Sequence, residues 1–160
     1  MLDATVGGAA STSYIAQADA TAYFVDRLDS AGWSNASIRQ QQNALMMATM
    51  RLEAEDYLGT KASSTQRLQW PRFSVTDRSG WLYSSSEIPV VVKQATCELA
   101  LALLAEPSLF DASGLEQFIN VKLGSIDVTP RVGTPNVELP VLVKRLLAPV
   151  IGSGARVVRA

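Results

Sequence analysis

The chain has 160 residues, of which 48% are apolar, and this is enough to bury the core of one ordinary domain. Its formal net charge of -1 excludes a protein whose whole surface binds nucleic acid, because such a surface needs a strongly basic balance. With no histidine and a single cysteine, the sequence also excludes Ser-His-Asp and Cys-His catalytic pairs, cysteine-ligand zinc sites and internal disulfides.

Charge is distributed unevenly along the chain. Residues 1–59 contain seven acidic residues and three arginines, whereas residues 121–160 contain six basic residues and two acidic ones. Such polarity is typical of a subunit that meets different partners at its two ends. The N-terminal segment has no basic start or apolar stretch, and the longest apolar run, residues 99–105, is too short to span a bilayer. We therefore expect a soluble, cytoplasm-made chain with a single domain over residues 1–160 and no membrane partner.

Two helices are predicted in the N-terminal part of the chain. Residues 16–29 have helical spacing, and one stripe of this segment holds Ala18, Ala22, Val25 and Asp29. Residues 34–59 form the second helical segment, with Ser34 or Ser37 as the N-cap and Gly59 at the end. Its recurring positions are Ile38, Leu45, Met46, Thr49, Met50 and Leu52. We expect its methionines to fill gaps in the core.

The most apolar segment of the chain is also predicted to be a helix. It begins at Pro89, which suits a first helical position, and stops at Pro107. Apolar or small residues occupy nearly every side, which predicts a central helix that other helices surround. Cys97 lies in this helix, and we expect a buried small apolar side chain there because no histidine is present to activate the thiol.

Two of the three tryptophans lie in a polar segment, QRLQWPRFSVTDRSGWLY at residues 66–83, where no helix or simple strand is predicted. We expect Trp70 and Trp81 to anchor this long loop against the helices. Pro71 should keep the residues before it extended.

Beyond the central helix, the apolar period changes from 3.6 to 2 and predicts a hairpin at residues 116–129. Gly124-Ser125 suits its two-residue turn. The expected cross-strand pairs are Leu123 with Ile126, Lys122 with Asp127, and Val121 with Val128. A lone hairpin is marginal in water, so it should lean on the helices or pair with another chain.

A short helix and a tail are predicted at the C-terminal end. Residues 139–151 form the helix, with Pro140 at its start and Pro149 at its end. Residues 152–160 begin with Gly-Ser-Gly and should be mobile. The fold class expected from the whole pattern is mainly α: a small bundle of about four helices (core at 14–105), one hairpin, a long Trp-containing loop and an extended C-terminal tail.

No set of residues in the sequence suggests a catalytic, metal-binding or phosphate-binding site. Glu53, Glu55 and Asp56 are close in sequence, but on a helix we interpret them as a solvated face rather than a cation site. Residues 132–135 and 152–154 lack the features of a phosphate-binding loop. We therefore expect no enzyme, no catalytic residue, no metal and no cofactor.

Several motifs in order resemble a known family. They are SYIAQADATAYFVDRL at the N-terminus, Arg51-Leu52, LQWPR at 68–72, IPVVVKQATCELALALL at 88–104, the hairpin, LLAPVIG at 146–152 and the terminal RVVR. Together they resemble the head-tail connector adaptors of tailed bacteriophages, and similar sequences often carry the label "DnaT-like single-stranded DNA-binding protein". The resemblance covers nearly the whole chain.

The resemblance implies a structural protein of the virion neck, made in the host bacterial cytoplasm. It implies neighbouring copies in a dodecameric ring beneath the portal protein, linked to a stopper or tail-completion protein, with packaged double-stranded DNA passing through the channel. It also implies that the C-terminal helix and tail dock on the portal.

The resemblance to head-tail adaptors assigns contact roles to three groups of residues. The portal-docking residues are Leu142, Leu146, Leu147, Arg156, Val157, Val158 and Arg159. The subunit or stopper contacts are Ile119, Val121, Leu123, Ile126 and Val128. The basic residues that face the channel or a neighbour are Arg67, Arg72 and Arg78. For these arginines, simple solvation remains the other interpretation.

The alternative function is a single-stranded DNA-binding replication accessory. Such a protein stacks bases on aromatic side chains, and the candidates are Trp33, Trp70, Trp81 and Tyr83. Residues 61–81 hold four basic residues (Lys61, Arg67, Arg72 and Arg78) and one acid (Asp77), a net charge of +3. The slightly negative charge of the whole chain argues against it, because phosphate neutralisation dominates this kind of binding.

Overall fold

The structure is a computed structural model, and it describes residues 1–109 and 139–152. Within these residues the fold is mainly helical, as predicted, with five α-helices, a short 3₁₀ helix and one two-stranded antiparallel hairpin. The elements in chain order are α1 (Gln17–Val25), α2 (Ala31–Ser34), α3 (Ile38–Leu52), β1 (Thr60–Lys61), β2 (Arg72–Phe73), α4 (Val90–Ala105), the 3₁₀ helix (Pro107–Leu109) and α5 (Val141–Leu147).

Helix α4 lies at the centre of the fold, as its composition predicted. Helices α1, α2, α3 and α5 all pack against it. Pro89 is the N-cap residue, one position before the first helical residue, and makes no side-chain capping hydrogen bond, so its predicted place at the first helical position was off by one. Pro107 opens the 3₁₀ helix that follows the C-terminus of α4. The Cys97 side chain is buried, and this burial raises the pKa of the thiol to about 12, as expected of an unreactive packing residue.

Helix α3 begins with a capping box. The Ser37 hydroxyl accepts from the backbone N–H of Gln40, and the Gln40 side chain accepts in return from the backbone N–H of Ser37. The buried positions of the helix are Gln41, Ala44, Leu45, Ala48, Thr49 and Leu52. Ile38 and Met50 are exposed, so the prediction that all the methionines fill the core was wrong at Met50.

Helix α1 covers Gln17–Val25, fewer residues than the predicted 16–29, and the face it buries is not the predicted alanine stripe. Its buried residues are Ala20 and Phe24, and the Phe24 ring packs 4.7 Å from the Trp33 ring of α2, centroid to centroid. Burial of this aromatic pair determines the rotation of the helix, because large aromatic side chains contribute most apolar area. The stripe formed by Ala18, Ala22, Val25 and Asp29 consequently faces solvent.

The hairpin in the described residues pairs Thr60 with Phe73 and Lys61 with Arg72. It brackets the first half of the Trp-containing loop, where the sequence predicted no strand. Gly59 precedes it with φ +70°, and a Cβ at this position would collide with the carbonyl oxygen of Phe73. The hairpin predicted at residues 116–129 and the tail beyond residue 152 lie outside the described residues.

Helix α5 completes the core. Its buried residues are Val143 and Leu147, and the helix packs on α4. The chain after it returns to the end of α3, where Leu58 N–H donates to the Val150 carbonyl at 2.9 Å and Gly152 N–H donates to the Asp56 carbonyl at 2.8 Å. Among residues 1–109 and 139–152, no helix is long and apolar enough to cross a membrane.

Candidate functional site

The two tryptophans of the long loop have opposite environments. Trp70 is 1% exposed and lies in the hydrophobic core, as predicted. Trp81 is 77% exposed, so the prediction that it anchors the loop was wrong. The loop therefore has a buried half and an exposed half.

Aromatic rings surround Trp70 in the buried half. Tyr57 and Tyr83 meet its ring edge to face, with centroids 5.6 Å and 6.4 Å away. The backbone N–H of the preceding Gln69 donates to the Glu53 carboxylate at 2.8 Å, and the Tyr14 hydroxyl donates to the same carboxylate. Burial is the main reason that the pKa of the Tyr14 hydroxyl lies well above its ordinary value. The Glu53 carboxylate thus has a structural role, and it is not the solvated side chain that the sequence indicated.

Arg72 also belongs to the buried half, which contradicts its prediction as a residue facing a channel or neighbour. It is 7% exposed, and its guanidinium donates to the backbone carbonyls of Tyr57 (3.2 Å), Leu58 (2.7 Å) and Gly59 (2.7 Å) and to the Gln69 side chain (2.7 Å). Burial lowers its pKa. The planar guanidinium provides several donors in fixed directions, so this arginine closes the turn between α3 and β1.

The exposed half forms a second small hairpin, which we call the Trp81 hairpin (residues 75–83). Its backbone hydrogen bonds run from Tyr83 N–H to the Val75 carbonyl (2.9 Å) and from Asp77 N–H to the Trp81 carbonyl (2.8 Å). The Asp77 carboxylate accepts from the backbone N–H groups of Ser79 (2.8 Å) and Trp81 (2.9 Å). Gly80 takes a positive φ of +86° in the turn. An ordered backbone therefore presents Trp81 to solvent.

The Trp81 hairpin lies beside α5. The Arg78 guanidinium donates to the backbone carbonyl of Arg145 at 3.0 Å, and both arginines are exposed. Leu82, next to Trp81, is 71% exposed. We define the Trp81 surface as the exposed side chains of this hairpin and the neighbouring α5 residue, namely Trp81, Leu82, Arg78 and Arg145, with the Asp77 carboxylate in the same turn.

A second apolar and charged surface lies at the end of α1. Val25 is 77% exposed and Leu28 is 91% exposed. Each is followed directly by an exposed aspartate, Asp26 and Asp29. We call these four residues the α1 surface. They are two apolar side chains accompanied by two anions.

An ion pair fixes the α1 surface to the core. Arg27 donates to both carboxylate oxygens of Glu98 on α4, at 2.6 Å and 2.9 Å. The Tyr23 hydroxyl donates to the same carboxylate at 2.6 Å. This bidentate geometry is the strong form of an arginine–carboxylate contact. Glu98 thus pairs the charge of Arg27, whose remaining nitrogen donates to the Leu28 (2.5 Å) and Asp29 (3.3 Å) carbonyls, and the carboxylates of Asp26 and Asp29 leave the α1 surface acidic.

The other predicted site residues are placed as follows. On α5, Leu142 is exposed, Leu146 packs partly on the core, and Leu147 is completely buried, so Leu147 has no surface to offer a portal. Arg67 is exposed and stays a candidate for partner contact. Residues 119–128 and 156–159 lie outside the described residues, so their predicted contacts stay predictions.

Most of the aromatic residues predicted to stack on DNA bases are not available to do so. Trp33 is buried, and its indole N–H donates to the Thr21 hydroxyl at 3.2 Å. Trp70 is buried and Tyr83 is half-buried against it. Only Trp81, of these four, offers a free face to solvent. Within the described ranges there is no group of acidic residues, cysteine or histidine that could hold a metal ion.

Sequence reasoning missed two residues that determine this site. Asp77 orders the Trp81 hairpin, and the signal for it was an aspartate shortly before a Ser-Gly pair, which is typical of a turn. Gln66 is buried, and its amide donates to the carbonyls of Leu68 (2.8 Å) and Pro71 (3.0 Å). No sequence signal distinguished Gln66 from the glutamines of α3.

Comparison with known proteins identifies the family. The family described as "Putative DnaT-like ssDNA binding protein" matches residues 2–160, and the chain belongs to this family. No curated protein and no solved structure matches it.

Proposed function

We propose that this protein is a structural, non-enzymatic interaction protein: a head-tail connector adaptor of a tailed bacteriophage. It would form a ring under the portal in the virion neck and link the portal to the next neck or tail protein around the DNA exit channel. The observation that carries the proposal is the division of the aromatic residues. Trp33 and Trp70 of the candidate base-stacking set are buried in the core, while Trp81 is exposed on an ordered hairpin with charged neighbours, as in protein interfaces.

The start of α5 supplies the portal contact in this proposal. Val141 and Leu142 are exposed at the first turn, while Val143 and Leu147 hold the helix in the core. The tail that follows Gly152 contains Arg156 and Arg159 around two valines. Arginines of this kind pair with carboxylates, and the valines add a short apolar contact or an extra strand to the partner. Leu142, Leu146 and the tail are therefore the residues that we assign to the portal.

The test is co-purification of the full chain with the portal protein from the same genome, with electron microscopy of the complexes. We expect a ring seated on the portal, and we expect truncation after Gly152 to abolish it. Leu142→Ser should weaken binding, and Met50→Ser, which also changes an exposed apolar residue but lies on α3, should not. Absence of any complex between the full chain and the portal would refute the adaptor function.

A second candidate function is single-stranded DNA binding, which the family description favours. One exposed tryptophan, Trp81, lies beside Arg78, and such a pair suits stacking of one base against an aromatic ring with a cation at its phosphate. Fluorescence anisotropy of a labelled oligonucleotide, titrated at several salt concentrations, separates the two functions. A DNA-binding accessory loses affinity steeply with salt, and Trp81→Ala removes the binding. An adaptor is expected to bind the oligonucleotide weakly at every salt concentration.

A further inference from the structure

The Trp81 surface and the α1 surface each have an apolar centre of two side chains, and they carry opposite charge. Trp81 and Leu82 are exposed on the first, and Val25 and Leu28 on the second. Large exposed apolar side chains rimmed by polar or charged groups mark contact surfaces. Each surface therefore suits a partner with a complementary apolar side chain.

The charges of the two surfaces are complementary. Arg78 and Arg145 accompany Trp81, and the carboxylate of Asp77, which accepts from two backbone N–H groups of its own turn, offsets one of these two cations, so the surface stays positive overall. Asp26 and Asp29 accompany Val25 on the other surface, where the guanidinium of the intervening Arg27 is paired with Glu98. A positive rim facing a negative rim selects the correct partner and its orientation.

Both surfaces are also held in place before any partner binds. Hydrogen bonds across residues 75–83 order the first, and the pair between Arg27 and Glu98 fixes the second to α4. Preorganised contacts lose less entropy on association, which raises affinity for a given area.

We propose that the Trp81 surface of one copy of this chain binds the α1 surface of the next copy. Because the two surfaces are formed by different residues, the contact is head-to-tail, and repeated head-to-tail contacts close into a ring when the rotation allows it. This inference rests on the proposed ring adaptor and specifies which surfaces join its subunits. It assigns Arg78 to a neighbouring subunit, leaving Val141 and Leu142 for the portal.

The test is a charge exchange in the full-length chain. Asp26→Lys and Arg78→Glu should each weaken self-association at least about tenfold, because each places like charges across the contact. The double variant, Asp26→Lys with Arg78→Glu in one chain, should restore association, since opposite charges then face each other again across every contact. The matched control is Asp56→Lys with Arg39→Glu, two exposed positions outside both surfaces to which no partner contact is assigned, and it should associate like the wild type.

A substitution that tests the apolar centre is Trp81→Ala. A tryptophan buried by association is a common energetic centre of an interface, so we expect a loss of about 30-fold or more in affinity. Sedimentation velocity over a range of protein concentrations, with and without portal, measures association, and circular dichroism checks that each variant is folded.

The outcomes separate this inference from the proposed function. If both single variants form rings on the portal as well as the wild type does, the subunit contact is wrong and the adaptor function stands. Self-association that follows the charge exchange without any portal binding supports the contact and removes the adaptor function. A wild-type chain that neither self-associates nor binds portal overturns both, and closed dimers that do not extend would overturn the head-to-tail arrangement.

Discussion

Trp70 and Trp81 belong to one polar segment with arginines beside both, yet the fold uses them in opposite ways. Trp70 and Arg72 are buried: Trp70 packs between two tyrosines and Arg72 binds the backbone of the preceding turn. The Trp81 hairpin, by contrast, satisfies its own backbone and directs its tryptophan outward.

This difference shows that the role of a loop residue cannot be inferred from its amino-acid type alone. Arg72 and Arg78 are both arginines that donate to backbone carbonyls, but only the first is buried among carbonyls of one tight turn. Structural and partner-binding residues therefore alternate within one segment, and substitutions on the two sides should have separable effects.

The largest expected effect is on the buried tryptophan. Trp70→Ala should lower the free energy of unfolding by about 3 to 5 kcal/mol, because it removes a large core side chain and leaves a cavity. Trp81→Ala should change it by less than about 0.5 kcal/mol, as for other exposed positions. Urea denaturation followed by circular dichroism measures both. Similar losses for the two variants would contradict the division of the loop.

Substitution of the buried Arg72 should likewise cost more stability than substitution of the exposed Arg78. Arg72→Met preserves much of the apolar stem but leaves buried carbonyls without their charged donor, and should cost about 2 to 3 kcal/mol of unfolding free energy. Arg78→Met is the matched control at an exposed position, with an expected cost below about 0.5 kcal/mol. The same denaturation experiment measures the pair. An equal cost at both sites would show that Arg72 does not brace the turn.

Alkaline pH should destabilise the buried half. Burial raises the pKa of Tyr14 and Tyr57 above the ordinary value of 10.0, and it raises the pKa of Cys97 from 9.0 to about 12. The unfolded chain therefore releases these protons at lower pH than the folded chain. Stability should be unaffected by these groups below about pH 9 and should fall above it, by up to about 1.4 kcal/mol per pH unit for each group.

Denaturation at a series of pH values from about 7 to about 11 tests this expectation. Tyr14→Phe should make the decline above about pH 10 shallower, whereas removal of an exposed group should leave the slope unchanged. A profile that stays flat over the whole series would contradict the burial of these groups in the core.

The smallest expected effect concerns the order of the exposed half. Asp77→Ala removes the acceptor for two backbone N–H groups and should cost about 1 kcal/mol, with faster hydrogen exchange at Ser79 and Trp81. Asp77→Asn retains an acceptor oxygen and should lose less. If Asp77→Ala exchanged no faster than the wild type, the carboxylate would not be ordering the hairpin.

The starts of helices α3, α4 and α5 were predictable because their signals are local, whereas α3 ends at Leu52 and not at Gly59 as predicted. A capping serine at Ser37, a proline at Pro89 and a proline at Pro140 each restrict the backbone at a helix start. The orientation of α1 was not predictable from its alanine stripe, because it depends on the packing of Phe24 on Trp33, a residue of another helix.

The candidate site was predictable only in part. Arg78 was identified as facing a partner, and its exposure agrees with that role without testing it, but the two tryptophans were treated as equivalent and Leu147 was expected at a surface. Burial of a given leucine or tryptophan depends on which other elements cover it, and a pattern within one segment does not contain that information.

The mainly helical class, the central position of α4 and the lack of histidine for catalysis could be inferred from composition, local capping and apolar periodicity. Which tryptophan is buried, that Arg72 braces a turn, and which apolar residues stay exposed could be learned only from the folded chain. Burial and hydrogen-bond partners arise from contacts between residues far apart in the sequence, such as Tyr14 with Glu53 and Arg27 with Glu98.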